Sequence, residues 1–171
     1  GASRGIGKAI ALRAARDGAN VVVAAKTDRK HPRLPGTIHA TVEEIEAAGG
    51  RGLAIRLDVR DDTAVAEAVD QAVQHFGGLD ILINNAGIVS GKPFLELTPQ
   101  QIERTFQVNT LAHFWTIRAF LPAMIERDSG TVVTIASAAG ISGTAGLADY
   151  SGSKFAAFGL NESLRLDLNK Q

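Results

Sequence analysis

The chain has a single tyrosine, Tyr150, and a lysine follows it four residues later, at Lys154. Side chains four residues apart on a helix share a face, so this phenol and this ammonium group can meet. A free tyrosine has a pKa of about 10 and is a reluctant acid or base near neutral pH. A nearby ammonium group favours the phenolate and lowers that pKa, so the two residues form a candidate acid–base pair. In isolation they also fit a helix-face aromatic beside a solvated lysine.

A third polar residue, Ser137, ends the apolar run 130–137 and precedes Tyr150 by 13 residues. Ligands bind at the carboxyl ends of strands in open α/β sheets, so this serine is predicted to lie at a binding edge. A hydroxyl at that edge can donate a hydrogen bond to a substrate oxygen on which negative charge develops.

A glycine-rich turn, GASRGIG, opens the sequence and places Gly1, Gly5 and Gly7 directly before a helical pattern. Glycines let the backbone approach a pyrophosphate closely, and a helix N-terminus offers free N–H groups and a positive dipole end. The spacing G-x3-G-x-G differs from the better-known G-x-G-x-x-G. Because the chain has 18 glycines among 171 residues, a loop that is merely glycine-rich is the alternative interpretation.

The residues after the apolar run 20–25 bear on the choice between NAD and NADP. An acidic residue there bonds the ribose hydroxyls of NAD, whereas a basic one accommodates the 2′-phosphate of NADP. Ala25 stands where the acid is expected, Lys26 follows it, and Arg4 projects from the glycine turn. These residues predict a preference for NADP, unless Asp28 supplies the acid or the two cations are only solvated surface charges.

Apolar runs rich in β-branched residues alternate along the chain with segments of helical periodicity. The predicted buried strands span residues 20–25, 52–59, 79–86 and 130–137. The predicted helices span residues 5–17, 62–75, 99–126 and 149–171. This alternation predicts βαβ units with right-handed crossovers. The fold class is therefore α/β, a doubly wound Rossmann-type parallel sheet with helices on both faces.

Local signals predict several boundaries. Asp61 or Asp62 is expected to cap the second helix, Thr98 caps the third, and Pro99 takes its first position. The basic, proline-containing segment 26–36 is predicted to be an extended loop. The apolar stripe of the first helix is predicted to comprise Ile6, Ile10 and Ala14.

The ends of the sequence lack strands that a doubly wound sheet normally has. The chain opens directly on the glycine turn and closes inside a helix. We therefore expect residues 1–171 to form a single, partial domain, truncated at both ends, whose first strand and C-terminal substrate segment lie outside this sequence.

Composition excludes several classes of function. Hydrophobic residues make up 45% of the chain, and 18 basic residues balance 18 acidic ones, so no nucleic-acid or membrane surface is indicated. The absence of cysteine excludes disulfides, thiolate nucleophiles and zinc–cysteine sites. No apolar run approaches the roughly 20 residues that span a bilayer. The four histidines show no metal-ligand spacing, so no metal is expected.

Taken in order, the motifs resemble those of the short-chain dehydrogenase/reductase family. They are GASRGIG at 1–7, Asp58 in LDV, NNAG at 84–87, Asn109 in FQVNT, Ser137, and YSGSK at 150–154. Residues 1 to about 80 look like hydroxysteroid-dehydrogenase-like proteins, and the remainder looks more like retinol and 17β-hydroxysteroid dehydrogenases.

The resemblance implies an NAD(P)-dependent oxidoreductase that interconverts a carbonyl and an alcohol by hydride transfer. It makes Tyr150 the general acid and base, Lys154 the residue that tunes Tyr150 and holds the nicotinamide ribose, and Ser137 the group that polarises the substrate oxygen. It also implies that Asn109 relays protons through a bound water and that Asp58 lies near the adenine. The cofactor-binding residues that it implies are Gly1, Ser3, Arg4, Gly5, Ile6, Gly7, Lys26, Asp58, Val59, Asn85, Ala86, Gly87, Tyr150 and Lys154.

The resemblance further implies a homodimer or homotetramer, paired through helices 99–126 and 149–171, and a small carbonyl or alcohol substrate of lipophilic character. A cytoplasmic location is the default expectation. Two alternatives are a nucleotide-binding sensor or scaffold without turnover, and an inactive fragment of such an enzyme.

Overall fold

The computed structural model describes residues 1–30 and 35–169. Its regular elements are α1 (Gly5–Arg16), β1 (Asn20–Ala25), α2 (Ile38–Ala47), β2 (Arg51–Arg56), α3 (Asp62–Phe76), β3 (Ile81–Asn84), α4 (Pro99–Phe106), α5 (Ala112–Glu126), β4 (Thr131–Thr134) and α6 (Ala148–Leu168). One turn of π-helix, Gln107–Leu111, joins α4 to α5. Each strand is followed by a helix; the periodicity predicted those after β2, β3 and β4, whereas α2, after β1, was not among the predicted helices.

The strands form two parallel pairs. In the first pair, β1 runs beside β2, with Asn20 opposite Arg51. In the second, β3 runs beside β4, with Ile81 opposite Thr131. A helix connects the two strands of each pair, so the predicted doubly wound α/β class is confirmed.

An apolar cleft of about 500 Å³ lies between the two strand pairs. The facing edges of β1 and β3 line it, and within the ranges 1–30 and 35–169 neither strand pairs with a third one. Gly1 borders this cleft and donates from its nitrogen to the Ala24 carbonyl of β1. The strand expected ahead of Gly1 stays a prediction.

The predicted apolar stripe of α1 is wrong in its orientation. Ile6 is 64% exposed, and the helix instead buries Gly7, Ala11 and Ala15. Small side chains on that face let α1 pack closely, and Ala11 and Ala15 join the core cluster around Val23 of β1. The other two predicted members of the stripe, Ile10 and Ala14, line the cleft.

The predicted caps are confirmed, because each depends only on neighbouring residues. Asp61 accepts a hydrogen bond from the Ala64 nitrogen at 3.0 Å. Thr98 and Gln101 form a reciprocal capping box in which Pro99 occupies the first turn of α4. In the loop 26–36, the described residues lack regular structure, as predicted, and residues 31–34 lie outside the described ranges.

Strand and helix ends differ slightly from the predictions. The strand predicted over 130–137 ends at Thr134, so Ser137 lies three residues beyond β4. The predicted helix 99–126 follows one helical path through the π-helical turn, and the helix predicted over 149–171 is described to Leu168. None of the described helices combines the length and apolar character needed to cross a bilayer.

Candidate active site

Helix α6 brings the only tyrosine and its lysine together. The Lys154 Nζ atom lies 5.9 Å from the centre of the Tyr150 ring. Lys154 is only 4% exposed, and its Nζ donates to the Ile135 carbonyl, just beyond β4, at 2.8 Å. Burial lowers the pKa of Lys154. The ammonium group is therefore fixed from two elements at once, beside the face of the phenol.

Asn109 lies in the π-helical turn and is fully buried. Its Oδ1 accepts from the Ile88 nitrogen at 2.8 Å, and its Nδ2 donates to the Ile88 carbonyl at 2.9 Å. Nδ2 also donates to Ser153 Oγ on α6 at 3.0 Å. The asparagine thus joins the loop after β3 to the helix that carries Tyr150.

The NNAG loop lies beside these groups. A Cβ atom built on Gly87 would lie 3.5 Å from Asn109 Oδ1 and 3.7 Å from Lys154 Nζ. Earlier in the same loop, Asn85 Nδ2 donates to the Gly1 carbonyl at 2.9 Å. The loop therefore links the glycine turn at one end of the site to the lysine at the other.

The glycine turn has the geometry of an anion cradle. A Cβ on Gly7 would overlap the Gly1 carbonyl, and one on Gly1 would lie 2.9 Å from Ala86 Cα. Gly5 begins α1 with a φ of 56°, a conformation that favours glycine. The Arg4 side chain makes no capping hydrogen bond to the first turn of α1, and that turn has no acidic residue. The N–H groups of this turn are thus left for an anion, and the turn fits a dinucleotide pyrophosphate.

The remaining predicted members of the turn differ in exposure. Ser3 is buried, whereas Ile6 is exposed at the start of α1. Val59, which follows β2, packs against the core cluster that contains Ile55 and Leu57. Ser3 is thus enclosed within the turn, whereas Val59 is partly buried and also lines the apolar cleft.

Ser137 caps the short 3-10 turn Ala138–Gly140, where its Oγ accepts from the Ala139 nitrogen at 3.2 Å. In this arrangement the hydroxyl acts as an acceptor, so its proton can be donated to a ligand. Within the part of the chain that the structure describes, Ser137 and Tyr150 share no hydrogen bond.

Asp58 lies between two cations. Lys26 Nζ donates to its Oδ2 at 2.7 Å, and Arg60 Nη2 donates to the same atom at 2.6 Å. The hydrogen bonds from Arg60, aided by those from Lys26, hold the pKa of Asp58 well below its usual range. Sequence reasoning named Asp58 and Lys26 separately and missed both their contact and Arg60.

The other charges around the end of β1 are also paired. Arg4 Nη2 donates to Thr27 Oγ1 at 2.7 Å, next to Lys26. Asp28, the residue that would favour NAD, lies 3.5 Å from Arg56. Three cations thus contact two carboxylates and a fourth contacts a hydroxyl, so positive charges outnumber negative ones in this cluster. The cations are Arg4, Lys26, Arg56 and Arg60.

His113 was not expected near the site. It is 2% exposed, and neither ring nitrogen has a hydrogen-bond partner within the described ranges. Burial, together with the positive charge of Lys154, lowers its pKa to about 4. No group of three potential metal ligands occurs among the described residues. The imidazole is therefore a buried neutral ring that lines the apolar cleft.

Replacing His113 with Leu should make the protein less sensitive to acid. The folded pKa of His113, about 4, lies below its ordinary value of 6.5, so the unfolded chain binds more protons between these values. Folding stability from this group is complete above pH 6.5 and falls as the pH drops towards 4. The loss in the free energy of unfolding between pH 7.5 and 4.5 should be about 2 kcal/mol smaller in His113→Leu.

Urea unfolding at a series of pH values measures this difference. His75→Leu is the matched control, because His75 lies exposed near the end of α3 and its replacement should leave the pH dependence unchanged. Parallel pH curves for the parent chain and His113→Leu would contradict the interpretation.

Comparison with known proteins agrees with this geometry. The whole chain, residues 1–171, matches the short chain dehydrogenase family. It is 52% identical over 122 residues to a hydroxysteroid dehydrogenase-like protein 2 from Bos taurus, a match that covers 71% of this chain and 29% of the relative. The human protein of that description is 45% identical over 135 residues, covering 79% of this chain and 32% of the relative. The chain thus spans about a third or less of the length of these relatives.

Two solved structures share the fold over nearly all of the chain. A metagenomic short-chain oxidoreductase in complex with NADP superposes with a TM-score of 0.90 at 35% identity, covering 99% of this chain and 74% of that one. A putative dehydrogenase from Xanthomonas campestris superposes with a TM-score of 0.89 at 39% identity, covering 98% of this chain and 63% of that one. The resemblance to hydroxysteroid-dehydrogenase-like proteins is confirmed, while that of the second half to retinol and 17β-hydroxysteroid dehydrogenases stays a prediction. The chain belongs to the short-chain dehydrogenase family of oxidoreductases.

Proposed function

We propose that this chain is the core of an NADP(H)-preferring oxidoreductase that interconverts a carbonyl and an alcohol. The observation that carries the proposal is the buried Lys154 ammonium group, fixed by the Ile135 carbonyl and 5.9 Å from the ring of the only tyrosine. Burying a cation is costly, and a lysine that serves only solubility stays in water. A buried ammonium beside a phenol instead favours proton transfer at the phenol oxygen.

In this proposal, Tyr150 donates its phenolic proton to the carbonyl oxygen during reduction and removes that proton during oxidation. A bound nicotinamide dinucleotide supplies or accepts the hydride. Lys154 favours the phenolate by its positive charge and faces the ribose beside Gly87. Ser137 donates a hydrogen bond to the substrate oxygen and so stabilises the charge that develops there.

In this proposal, Asn109 takes part in the proton relay that the resemblance implies. Its three hydrogen bonds, to Ile88 twice and to Ser153 once, fix it between the loop after β3 and α6. A relay needs a fixed geometry, and a buried, fully bonded amide provides one.

The substrate in this proposal is an apolar carbonyl or alcohol. Large apolar side chains are exposed in the segments that follow β3 and β4, at the edge where ligands bind in this class of fold. They are Val89, Phe94, Leu95 and Ile141. An apolar rim of this kind favours lipophilic molecules over charged ones.

Replacing Tyr150 with Phe should nearly abolish turnover, by about 100-fold or more, because the general acid is lost while the ring remains. The oxidation of NADPH by a panel of apolar aldehydes and ketones measures turnover. NADPH affinity, followed by fluorescence, is the internal control and should stay within about twofold of the parent.

Undiminished turnover in Tyr150→Phe would disprove the mechanism. A parent chain that binds NADPH but reduces no carbonyl in the panel would instead favour the sensor or scaffold alternative. A parent chain that does neither would favour the inactive fragment.

The charges around Asp58 support the preference for NADP. Lys26 and Arg60 outweigh the single carboxylate that they share, and Arg4 approaches from the glycine turn. A 2′-phosphate is a dianion near neutral pH and gains from several charge-assisted hydrogen bonds. Asp28 Oδ2 lies 3.5 Å from Arg56 Nε, so this ion pair competes with a bond from Asp28 to the ribose hydroxyls of NAD.

Parallel fluorescence titrations with NADPH and NADH test this preference. We expect the parent chain to bind NADPH more tightly, and Lys26→Ala and Arg4→Ala each to weaken NADPH binding by about 10-fold. NADH binding should change by less than about twofold, because it lacks the 2′-phosphate. Arg16→Ala, at the far end of α1, is the matched control. Equal affinity for the two cofactors in the parent chain would refute the preference.

We also propose a homodimer or homotetramer that pairs through the helical path 99–126 and α6. Three aromatic side chains on α5 and α6 are exposed, and such apolar surface is typical of an interface. They are Phe114, Phe155 and Phe158. Light scattering of the parent chain should give a mass at least twice that of one chain, and Phe155→Ser should shift it towards the monomer. A monomeric parent chain at all concentrations would count against the proposal.

A further inference from the structure

A buried carboxylate immediately precedes the proposed acid–base residue. Asp149 lies in the first turn of α6 and is 4% exposed. Its Oδ2 accepts from Ser90 Oγ at 2.6 Å and from Thr105 Oγ1 at 2.7 Å. Ser90 belongs to the loop after β3 and Thr105 to α4, so one oxygen atom joins three segments of the chain.

The carboxylate is held in its charged form. Burial alone would raise the pKa of Asp149, but the hydrogen bonds from Ser90 and Thr105, together with backbone hydrogen bonds of Tyr150 and Asp149, outweigh this effect and the pKa is lowered. Hydrogen bonds to a charged acceptor are roughly twice as strong as those between neutral groups. The two hydroxyls thus form a clamp around Asp149, and Thr105 Oγ1 also lies 3.0 Å from the Gln101 carbonyl, a weaker, neutral acceptor for its one proton.

A second contact repeats this clamp one helical turn later. Thr105 and Asn109 are four residues apart on one helical path, and Asp149 and Ser153 are four apart on α6. Asn109 Nδ2 donates to Ser153 Oγ at 3.0 Å, as Thr105 donates to Asp149. Because residues four apart share a helix face, the two contacts form a polar ladder between α4 with its π-helical turn and α6.

Tyr150 is linked to this ladder by a hydrogen bond and by a peptide bond. Ser153 Oγ donates to the Tyr150 carbonyl at 2.7 Å, and Asp149 is its neighbour in sequence. The residue at the N-cap of α6, Leu147, provides no side-chain hydrogen bond to the helix. Within this first turn, the clamp at Asp149 is therefore the side-chain contact that holds the helix start, and the bonds of Ser153 and Lys154 hold the next turn.

Beside the ladder, α4 and α6 approach each other closely, and the apolar contact there is between a glycine and a ring. A Cβ on Gly152 would already lie 3.3 Å from the Phe106 ring of α4. A glycine against an aromatic ring permits sliding and rotation, whereas a carboxylate with two fixed donors does not.

We propose that Asp149, clamped by Ser90 and Thr105, is a positioning residue that fixes the orientation of the Tyr150 ring towards Lys154 and the substrate oxygen. The inference rests on the proposed function of Tyr150. The orientation itself can be measured without turnover, because Tyr150 is the only tyrosine and gives a single set of ring signals in a ¹³C-tyrosine-labelled chain.

Thr105→Val is the main test, because it removes one donor from a site 45 residues away from Tyr150 and keeps the side-chain shape. We expect the ring signals of Tyr150 to shift or broaden and kcat to fall by about 10- to 100-fold, as a small misplacement of a reacting group produces. NADPH affinity should stay within about twofold, since the clamp lies outside the glycine turn. Ser90→Ala should act in the same direction.

Three further variants separate positioning from general loss of structure. Thr105→Ser keeps the hydroxyl and should restore both the ring signals and kcat. Asp149→Asn should lower kcat as Thr105→Val does. The double variant Thr105→Val/Asp149→Asn should lower kcat little further than either single variant, because both substitutions break the same clamp. Asp167→Asn, an exposed acid on the same helix, is the matched control and should change nothing.

Unchanged ring signals and unchanged kcat in Thr105→Val and Ser90→Ala would overturn the inference. So would additive losses in the double variant, because they would mean that Thr105 and Asp149 act independently. If the parent chain shows no turnover, the proposed function fails, but the ring signals of Thr105→Val against Thr105→Ser still decide whether the clamp positions Tyr150.

Discussion

The burial of one ammonium group constrains the whole of the candidate site. Lys154 cannot be enclosed at 4% exposure without an acceptor, and the Ile135 carbonyl beyond β4 supplies it. That bond ties α6 to the second strand pair, and a Cβ on Gly87 would lie at a contact distance of 3.7 Å from Nζ. In the proposed enzyme, the position of Lys154 is thus a consequence of satisfying a buried charge.

Buried polar side chains near Lys154 also set the register between α6 and the helical path 99–126. Asn109 and Ser153 are fully buried, and each uses its polar atoms in hydrogen bonds across the helix interface. Thr110 adds a bond from its Oγ1 to the Ser153 carbonyl at 2.9 Å. A polar network of this kind admits one arrangement, whereas apolar contacts between two helices tolerate several. In the proposed enzyme, register and catalysis therefore depend on the same residues.

The sequence allowed the elements and the caps to be predicted because these depend on near neighbours. Asp61 and Thr98 lie within four residues of the groups that they cap, and the strand–helix alternation follows from local periodicity. The prediction of the apolar stripe of α1 failed because small residues, not Ile6, form the packing face of that helix. The clamp at Asp149 was missed because Ser90 and Thr105 lie far away in sequence and only the fold brings them together.

Positively charged side chains lie at both ends of the site, but those around Asp58 are in contact with water and Lys154 is buried. Around Asp58 the cations are partly exposed, with Lys26 at 58% side-chain exposure, so dissolved salt screens them and their effect on a phosphate is graded. Lys154 is enclosed, and a buried charge is screened far less. In the proposed enzyme, recognition of the cofactor is therefore governed by adjustable surface electrostatics, whereas proton transfer depends on a fixed internal charge. The choice between NADP and NAD can thus change through surface residues without altering the acid–base chemistry.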